Sequence, residues 1–360
     1  MQRPVLDFRS DNVGTAAPEM LDALRQANLG SASSYGVDDL TLDVQKRYAE
    51  LFEAEVRVFA VPTGTAANAA CLAALSPPWG AIFCHATAHA HTSECAATEF
   101  FSGGAKIVPV PGQDGRIALA AFKDALEAAG TGLAHRAQPA ALSLTQATEW
   151  GTVYGESELG ALCDVARTRG LRVHMDGSRF ANAVAALGRP PADLTWRLGV
   201  DILSFGLTKN GGLMCDAIVV FRKDLFEPLR YRLRRSGYVW SKMRFASAQL
   251  LAYVADGFWL RTARHANAMA SRLAQGLRAI PGLKFVAPVE ANEIFLEPPP
   301  HLLSSLRDSG VLTLSLSRGI TRLVCRYDTS EVEVDQCIAT FEALAASETS
   351  AGAAPYSAAG

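Results

Sequence analysis

Between residues 56 and 221 the chain alternates short apolar runs with helical segments, and this pattern restricts the fold more than any other feature. The runs lie at 56–61, 81–84, 139–146, 171–176, 201–206 and 215–221. Each is mostly apolar, as expected of a buried strand. Strands that alternate with helices wind into a mainly parallel sheet with helices against it. The sequence therefore predicts an α/β sandwich over this part of the chain.

Three polar side chains follow two of these strands. Asp176 ends the strand at 171–176, Arg179 comes three residues later, and Lys209 lies between the last two strands. Side chains just past the carboxyl ends of strands project into the crevice where ligands bind. Pyridoxal phosphate (PLP) requires such a pair, because a lysine joins its aldehyde and an acid keeps its ring nitrogen protonated. On this stretch alone, a turn role for Asp176 and a loop-tip cation at Lys209 explain the pattern equally well.

A strand, a Gly-containing turn and an Ala-rich helix follow one another at 56–75. The backbone amides at such a helix N-terminus predict a phosphate site at Gly64 and Thr65. The segment is neither a Walker A motif nor GxGxxG, so nucleotide binding is poorly supported. Ordinary capping of the helix by Thr63 or Thr65 is the alternative interpretation.

Three histidines, at 85, 89 and 91, follow the run at 81–84. His85 and His89 are four residues apart, but no acid stands as in HExxH, so we expect no metal site. A histidine that stacks on a planar cofactor or acts as a base is the rival interpretation.

The N-terminal segment combines an extended arm with a helix that begins at Pro18. Ser10 and Asp11 lie in the arm, where their spacing favours local capping and turn bonding. Tyr35 lies in a polar loop before a helix predicted at about 40–52, and it can be a packed aromatic side chain.

The composition is that of a compact globular protein and excludes several classes of function. The 360 residues are 49% hydrophobic and carry a formal charge of −2, which gives no attraction to nucleic acid or to an anionic membrane. The N-terminus lacks the apolar core of a signal peptide, and no uncharged apolar stretch is long enough to span a membrane. Seven scattered cysteines without a CxxC motif suggest neither a disulfide framework nor a zinc site. We expect a cytoplasmic protein.

Beyond residue 239 the pattern changes. Helical periodicity continues over about 239–279, with Lys242 and Arg244 at its start as surface charges or anion ligands. Short strands and two helices after Pro281 predict a smaller α+β domain. The predicted parts are an arm with a large PLP-binding α/β domain at 1–255, a small domain with its linking helix at 256–346, and a flexible tail at 347–360.

Eight short motifs occur in a fixed order between residues 7 and 328. They read DFRSDNV, YGVDD, VPTGTAAN, AHAHTSE, HMDGSRFANA, SFGLTKNG, SKMRFAS and TRLVCRYD. In this order they resemble the threonine aldolase family, and the joint match is strong although each piece is weak. The resemblance implies PLP fold type I, which is aspartate aminotransferase-like, with a mainly parallel sheet sandwiched by helices and a smaller C-terminal α+β domain. It also implies a homo-oligomer, a dimer or homotetramer, whose site is built at a subunit boundary.

The same resemblance assigns roles to single residues. Lys209 would carry the cofactor, Asp176 would pair with its ring nitrogen, and His89 would stack on the ring and act with them in catalysis. The implied cofactor-binding residues are Gly64, Thr65, His89, Asp176, Arg179, Lys209 and Arg244. The implied substrate-binding residues are Ser10, Tyr35, Arg179 and Arg322.

The resemblance further implies an aldolase that cleaves L-threonine, L-allo-threonine or a related β-hydroxy-α-amino acid such as phenylserine to glycine and an aldehyde. Two arginines would hold the substrate carboxylate, and a base would take the β-hydroxyl proton. A β-eliminating lyase or an aminotransferase on the same fold is the alternative. A phosphate-binding or interaction protein with an inactive site is the alternative from another class.

Two positions depart from the family pattern. Thr148 stands near the place where the family has a second histidine, so a water, His89, His85 or His91 would have to serve as the base. Leu207 stands where the family often has Gly or Ser. We expect its bulk near Lys209 to affect the range of substrates and the reaction preference.

Overall fold

The structure is a computed structural model and describes residues 5–351. Its helices are α1 Pro18–Ala27, α2 Asp39–Phe52, α3 Gly64–Leu75, α4 His89–Thr92, α5 Ala97–Ser102, α6 Leu119–Ala128, α7 Glu156–Thr168, α8 Phe180–Leu187, α9 Phe226–Arg235, α10 Arg244–Val254, α11 Phe258–Arg278, α12 Pro300–Asp308 and α13 Glu331–Ala351. Its strands are β1 Leu6–Asp7, β2 Arg57–Val61, β3 Gly80–His85, β4 Lys106–Val110, β5 Gly112–Gln113, β6 Arg116–Ile117, β7 Gln138–Thr145, β8 Arg172–Gly177, β9 Ile202–Phe205, β10 Asp216–Val220, β11 Lys284–Phe285, β12 Glu293–Glu297, β13 Val311–Leu312, β14 Leu314–Ser315 and β15 Thr321–Val324.

A seven-stranded sheet forms the centre of the fold, in the order β2-β10-β9-β8-β7-β3-β4. All neighbouring strands are parallel except β10, which runs antiparallel to both β2 and β9. The predicted mainly parallel α/β sheet is therefore confirmed. In its middle, Asp176 on β8 lies opposite Thr145 on β7 and Ser204 on β9.

Helices cover both faces of this sheet, as the alternation along β10 shows. Ala217 and Val219 belong to one hydrophobic cluster, and Ile218 and Val220 belong to another. Because successive side chains of a strand point to opposite faces, the two clusters lie on opposite sides of the sheet. One contains side chains from α3 and α9, and the other contains side chains from α2, α7, α8 and α10. This is the predicted sandwich.

A second, four-stranded sheet lies in the C-terminal part, in the order β11-β12-β15-β14. Its buried side chains form a separate cluster with those of α11, α12 and α13. The N-terminal arm reaches this part of the molecule, because β1 pairs in parallel with β13. That pairing matters for the site, since the residues after β1 are carried between the two sheets.

Two helical predictions need correction. The helical periodicity predicted over about 239–279 is not continuous in the structure, because α10 and α11 are separate helices with a break at Asp256 and Gly257, whose φ angles are 48° and 66°. Gly257 adopts this left-handed backbone without the penalty of a Cβ. The last helix extends to Ala351, and the rest of the predicted tail, 352–360, lies outside the described residues. Within residues 5–351, no helix is both long and apolar enough to cross a membrane.

Candidate active site

A pocket of about 440 Å³ opens where β2, β8 and β9 end. Its wall is made by the turns after these strands, by Asp11 from the segment after β1, and by His89 at the start of α4. The volume lies within the ~300–1,000 Å³ range of small-molecule sites. The pocket is thus at the carboxyl edge of the sheet, where the sequence predicted a ligand crevice.

Lys209 lies in a short turn, Thr208–Asn210, between β9 and β10. Asp216 shapes this turn, because its Oδ1 accepts hydrogen bonds from the backbone N–H groups of Leu207 (2.8 Å) and Thr208 (3.0 Å). The Lys209 side chain lines the pocket and has no hydrogen bond or ion pair among the described residues. Burial lowers the pKa of its amine, and the nearby Arg179 guanidinium lowers it further. A less basic amine is more often in its nucleophilic form.

Asp176 is buried near the end of β8. Its Oδ1 accepts hydrogen bonds from the backbone N–H (3.0 Å) and hydroxyl (2.8 Å) of Ser178, and its Oδ2 accepts one from Asn68 Nδ2 (2.8 Å). Burial by itself raises the pKa of this carboxyl, but the charge of Lys209 and the Ser178 hydrogen bonds bring it below its usual value. Asp176 is therefore an anion close enough to Lys209 for their charges to interact.

His89 is connected to Asp176 through two side chains. His89 Nδ1 lies 2.8 Å from Glu94 Oε1, and Asn68 Nδ2 donates to Glu94 Oε1 (2.8 Å) as well as to Asp176. Because a carboxylate only accepts, Nδ1 carries the proton in this pair and Nε2 is free to accept one. The hydrogen bond to Glu94 raises the pKa of His89, against the opposing effect of burial.

Glu149 fixes the start of α4. Its Oε1 accepts hydrogen bonds from the backbone N–H of His89 (2.8 Å) and from the hydroxyl of Thr145 (2.8 Å). Its Oε2 is buried and has no hydrogen-bond partner in the described part of the chain. Burial, helped by the negative charge of Asp176, raises the pKa of Glu149 to about 7. A carboxyl group next to His89 therefore titrates near neutral pH.

The N-terminus of α3 forms another part of the pocket wall. Thr63 caps this helix, since its Oγ1 accepts the backbone N–H of Ala66 (3.1 Å), which confirms the capping interpretation for Thr63. Gly64 and Thr65 line the pocket, and their N–H groups have no acceptor within the helix because they occupy its first turn. A Cβ on Gly64 would lie 3.4 Å from Ser178 Oγ, in van der Waals contact. The arrangement suits an anion such as a phosphate.

Two arginines share the buried carboxylate of Glu293. Arg179 Nη1 lies 3.1 Å from Glu293 Oε2, and Arg322 Nη1 donates to Glu293 Oε1 (3.2 Å). Arg179 also donates to Asp11 Oδ2, from Nε (3.0 Å) and from Nη2. Arg179 thus has two carboxylate partners already. Arg322 keeps a buried Nε with no hydrogen-bond partner within residues 5–351, so it is the arginine with a donor to offer.

Six of the expected binding residues are not in the wall of this pocket: Asp176, Arg179 and Arg322, whose contacts are given above, and Ser10, Tyr35 and Arg244. Ser10 caps the turn Asp11–Val13, and its Oγ accepts the backbone N–H two residues ahead (3.2 Å), as its spacing favoured. Tyr35 is 52% exposed and stacks with Arg234, whose guanidinium carbon is 4.6 Å from the ring centroid. Arg244 begins α10 and donates from Nη1 to a backbone carbonyl in the loop after α1 (3.3 Å). A single chain therefore does not bring Tyr35 and Arg244 to Lys209.

The other candidate bases also lie outside the pocket wall. His85 Nδ1 bonds the Thr87 hydroxyl (2.8 Å), and His91 is exposed. Thr148 is buried in its own loop, with its Oγ1 2.7 Å from that of Thr152. The Leu207 side chain is fully buried in the main core, so its bulk does not narrow the pocket. No group of three potential metal ligands occurs among residues 5–351.

Sequence reasoning missed five polar side chains of the site. They are Asp11 as an ion-pair partner, Asn68, Glu94, Glu149 and Glu293. Three of them, Asp11, Asn68 and Glu94, lie inside the recognised motifs. The motifs were recognised from the sequence, but the roles of these three side chains were not. The signal at Glu293 was a carboxylate in an otherwise apolar strand, which has to find a cationic partner if it is buried.

Comparisons with known proteins agree with this geometry. The beta-eliminating lyase family model matches residues 7–298. The chain is 41% identical over 324 residues to the low specificity L-threonine aldolase of Pseudomonas aeruginosa, covering 89% of this chain and 93% of that protein. It is 39% identical over 339 residues to the low specificity L-threonine aldolase of Pseudomonas sp. (strain NCIMB 10558), covering 94% and 97%. The chain belongs to the threonine aldolase family.

Solved structures support the same assignment. The threonine aldolase of Leishmania major superposes with a TM-score of 0.88 at 25% identity, over 95% of this chain and all of that one. The serine palmitoyltransferase of Sphingomonas wittichii shares the fold, with a TM-score of 0.73 at 19% identity over 97% and 89% of the two chains. This member of the threonine aldolase family thus has PLP fold type I and is a PLP-dependent lyase.

The residues that line the pocket, together with Asp176 near Lys209, fit the cofactor. Lys209 offers an amine with no other partner, Asp176 offers a buried anion, and Gly64 and Thr65 offer two free backbone N–H groups. These are the three kinds of group that a pyridine aldehyde phosphate needs.

Proposed function

We propose that this chain cleaves L-threonine, L-allo-threonine or a related β-hydroxy-α-amino acid, such as phenylserine, to glycine and an aldehyde. The observation that carries the proposal is one pocket with an unpaired lysine amine, a helix N-terminus and a histidine in its wall, and with the buried Asp176 close enough to that lysine for their charges to interact. The names of the similar Pseudomonas enzymes, which the chain matches over nearly their whole length, support it. When bound, PLP supplies an electron sink for the pair released at the Cα–Cβ bond.

Four residues would hold the cofactor. The Lys209 amine, whose pKa burial lowers, is the group that would join its aldehyde. Asp176, kept anionic by its hydrogen bonds and by Lys209, would hold a proton on the ring nitrogen. Gly64 and Thr65 would bind the phosphate with their backbone N–H groups at the positive end of the α3 dipole.

His89 is the base in this proposal. It lines the pocket, whereas His85, His91 and Thr148 do not. Its Nε2 accepts the β-hydroxyl proton, directly or through one water, because its Nδ1 is bonded to Glu94. The Glu94 carboxylate orients the ring and stabilises the imidazolium that forms, in the way a carboxylate supports a catalytic histidine elsewhere.

Arg322 binds the substrate carboxylate in this proposal, using its unpaired Nε. Ser10 lies beside Asp11 and is the second ligand that we propose for the carboxylate. Arg179, which is bonded to Asp11 and Glu293, holds the carboxylate cluster in place and acts on the substrate mainly through its positive charge.

A homo-oligomer would complete the site. Tyr35 and Arg244 do not line the pocket of their own chain, and the Arg244 Nε is buried without a partner among the described residues. We propose that both enter the pocket of a neighbouring copy, where Arg244 adds a charge to the phosphate site. Exposed apolar side chains near these residues, Val37 and Met214, support an interface there. A single-chain mass by light scattering would contradict this assembly.

Product analysis of the PLP-loaded protein tests the function. Incubation with L-threonine, L-allo-threonine or phenylserine is expected to give glycine and aldehyde in equal amounts. Pyruvate with ammonia would identify a β-eliminating lyase instead, and a keto acid an aminotransferase. Lys209→Ala should abolish both the products and the visible absorption band of the bound cofactor. The exposed lysine variant Lys123→Ala is the matched control and should keep both.

A further inference from the structure

Glu293 lies inside the cluster that would receive the substrate carboxylate. The first residue of β12, it is fully buried and contacts one arginine with each oxygen. The hydrogen bond from Arg322 Nη1 to Oε1 is 3.2 Å, and the ion pair between Arg179 Nη1 and Oε2 spans 3.1 Å without hydrogen-bond geometry. Arg322, the residue proposed to bind the substrate carboxylate, therefore already contacts a carboxylate of its own chain.

The charges of these side chains limit how a substrate carboxylate can bind. The guanidinium groups of Arg179 and Arg322 carry two positive charges, and the carboxylates of Asp11 and Glu293 carry two negative ones. A substrate carboxylate would add a third negative charge to these four largely buried side chains, whose own charges balance; Lys209, the other charged group that faces Glu293, is the amine that would be joined to the cofactor. An uncompensated charge in such surroundings is costly, so one carboxylate has to move away or take up a proton.

Glu293 has little room to move. A Cβ placed on Gly151 would lie only 2.9 Å from Glu293 Cβ, so the loop 146–152 packs directly against the base of the side chain. The neighbouring strand residue Phe295 packs on Trp150 in the same loop, with ring centroids 5.0 Å apart. Protonation is therefore the cheaper way to remove the charge.

Asp11 is less suited to that change. Its two oxygens accept three hydrogen bonds, two from Arg179 and one from Asn292 Nδ2 (2.6 Å), and a protonated carboxyl would leave a donor unsatisfied. Glu293 has a single hydrogen bond, the one from Arg322, which is the bond that a substrate carboxylate would replace.

We propose that Glu293 is a specificity-determining carboxylate that occupies Arg322 until an amino acid binds and then takes up one proton from solvent. The inference rests on the proposed function, because it takes Arg322 as the ligand of the substrate carboxylate. The unpaired Arg322 Nε is the donor by which the incoming carboxylate begins the exchange. The proton forms an O–H bond with the Glu293 carboxyl oxygen that Arg322 releases. No other covalent bond is made or broken in this exchange.

The electrostatics of the cluster agree with this exchange. The charged groups that face Glu293 are Arg179, Arg322, Asp11 and Lys209. Burial raises the pKa of Glu293, the two arginines and Lys209 oppose the rise, and Asp11 adds to it. When Arg322 turns to the substrate, one of the opposing contacts is lost and a new negative charge arrives, so the pKa of Glu293 climbs further.

Calorimetric titration of the holoenzyme with glycine tests the proposal, because glycine has the carboxylate but no β-hydroxyl to react. Titrations at one pH in buffers of different ionisation enthalpy give the number of protons exchanged per site. On binding glycine, the wild type should take up about one proton more than Glu293→Gln. The apparent Kd of the wild type for glycine should therefore rise with pH, by up to about tenfold per pH unit, and that of Glu293→Gln should not. Glu290→Gln, a nearby carboxylate outside the cluster, should behave as the wild type.

Equal proton uptake by wild type and a folded, PLP-loaded Glu293→Gln would overturn the inference while leaving the aldolase intact. Absence of both glycine binding and β-hydroxy amino acid cleavage in the wild type would overturn the proposed function and the inference together. Infrared difference spectra of the wild type need no variant: glycine should produce a new protonated-carboxyl band. Failure of that band to appear would also overturn the proposal.

Discussion

Glu149→Gln should change how the stability of this enzyme depends on pH. Burial raises the pKa of Glu149 from its usual 4.5 to about 7. Between these values the folded chain holds a proton that the unfolded chain has lost, so the free energy of unfolding falls as pH rises through this window. A difference of about 2.5 pKa units, at about 1.36 kcal/mol each, corresponds to about 3 kcal/mol.

Glutamine cannot titrate, so the variant should lack this loss. Its side-chain oxygen can still accept the His89 N–H and the Thr145 hydroxyl, while its NH₂ replaces an oxygen that has no partner among the described residues. That unsatisfied donor lowers the free energy of unfolding of the variant by the same amount at every pH. The quantity to compare is therefore the difference in unfolding free energy between variant and wild type, which should shift by about 3 kcal/mol in favour of the variant from pH 4.5 to pH 8.

Denaturant unfolding of both holoproteins at several pH values, at fixed protein and PLP concentrations, measures this difference. Glu127→Gln, at an exposed helical position, is the control, and its curve should run parallel to that of the wild type. A difference between Glu149→Gln and wild type that stays constant within about 0.5 kcal/mol over the whole range would refute the reasoning.

Two further variants probe the site and the assembly. Asn68→Ala removes the amide that bridges two buried carboxylates. Each hydrogen bond to a charged group contributes about 1.5–3 kcal/mol, and water that enters the space would restore part of that. The variant should therefore lower the unfolding free energy by about 2–4 kcal/mol. Asn267→Ala, whose amide bonds only another amide and a backbone carbonyl, should cost clearly less in the same denaturant assay, and equal losses would contradict the carboxylate bridge. Mixed oligomers of the inactive variants Lys209→Ala and Arg244→Ala should regain cleavage activity, because one mixed site has both side chains; no recovery would show that Arg244 serves its own chain.

The sheet was predictable because its strand and helix signals are local. Each apolar run between residues 56 and 221 became a strand of the central sheet, but the reversed direction of β10 was not anticipated. The signal existed: only ten residues, 206–215, join β9 to β10, and a parallel crossover needs a dozen or more. The helix break at Asp256 and Gly257 was missed, although an Asp-Gly dipeptide is a turn signal.

Within the site, the positions of residues that follow strand ends could be predicted from the sequence, and the pairing of residues that depend on distant partners could not. Lys209 and Gly64 line the pocket, and Asp176 lies near Lys209, because the end of a strand fixes their position. The partners of Arg179 come from positions 168 residues earlier in the chain and 114 residues later, at Asp11 and Glu293. Such pairing is set by the packing of the two sheets, and a pattern in one segment does not reveal it.

Three carboxyl groups around one pocket have different proton affinities, and the donors that each receives explain the difference. Asp176 accepts three hydrogen bonds and faces Lys209, and its pKa falls despite complete burial. Glu149 accepts hydrogen bonds on one oxygen only and has a negative neighbour, so the effect of burial exceeds that of the hydrogen bonds and its pKa rises. Glu293 is held by two arginines, one of which the substrate needs. One buried site can therefore keep a permanent anion for the cofactor beside a carboxyl group that titrates near neutral pH, Glu149, and one that we propose takes up a proton when substrate binds, Glu293.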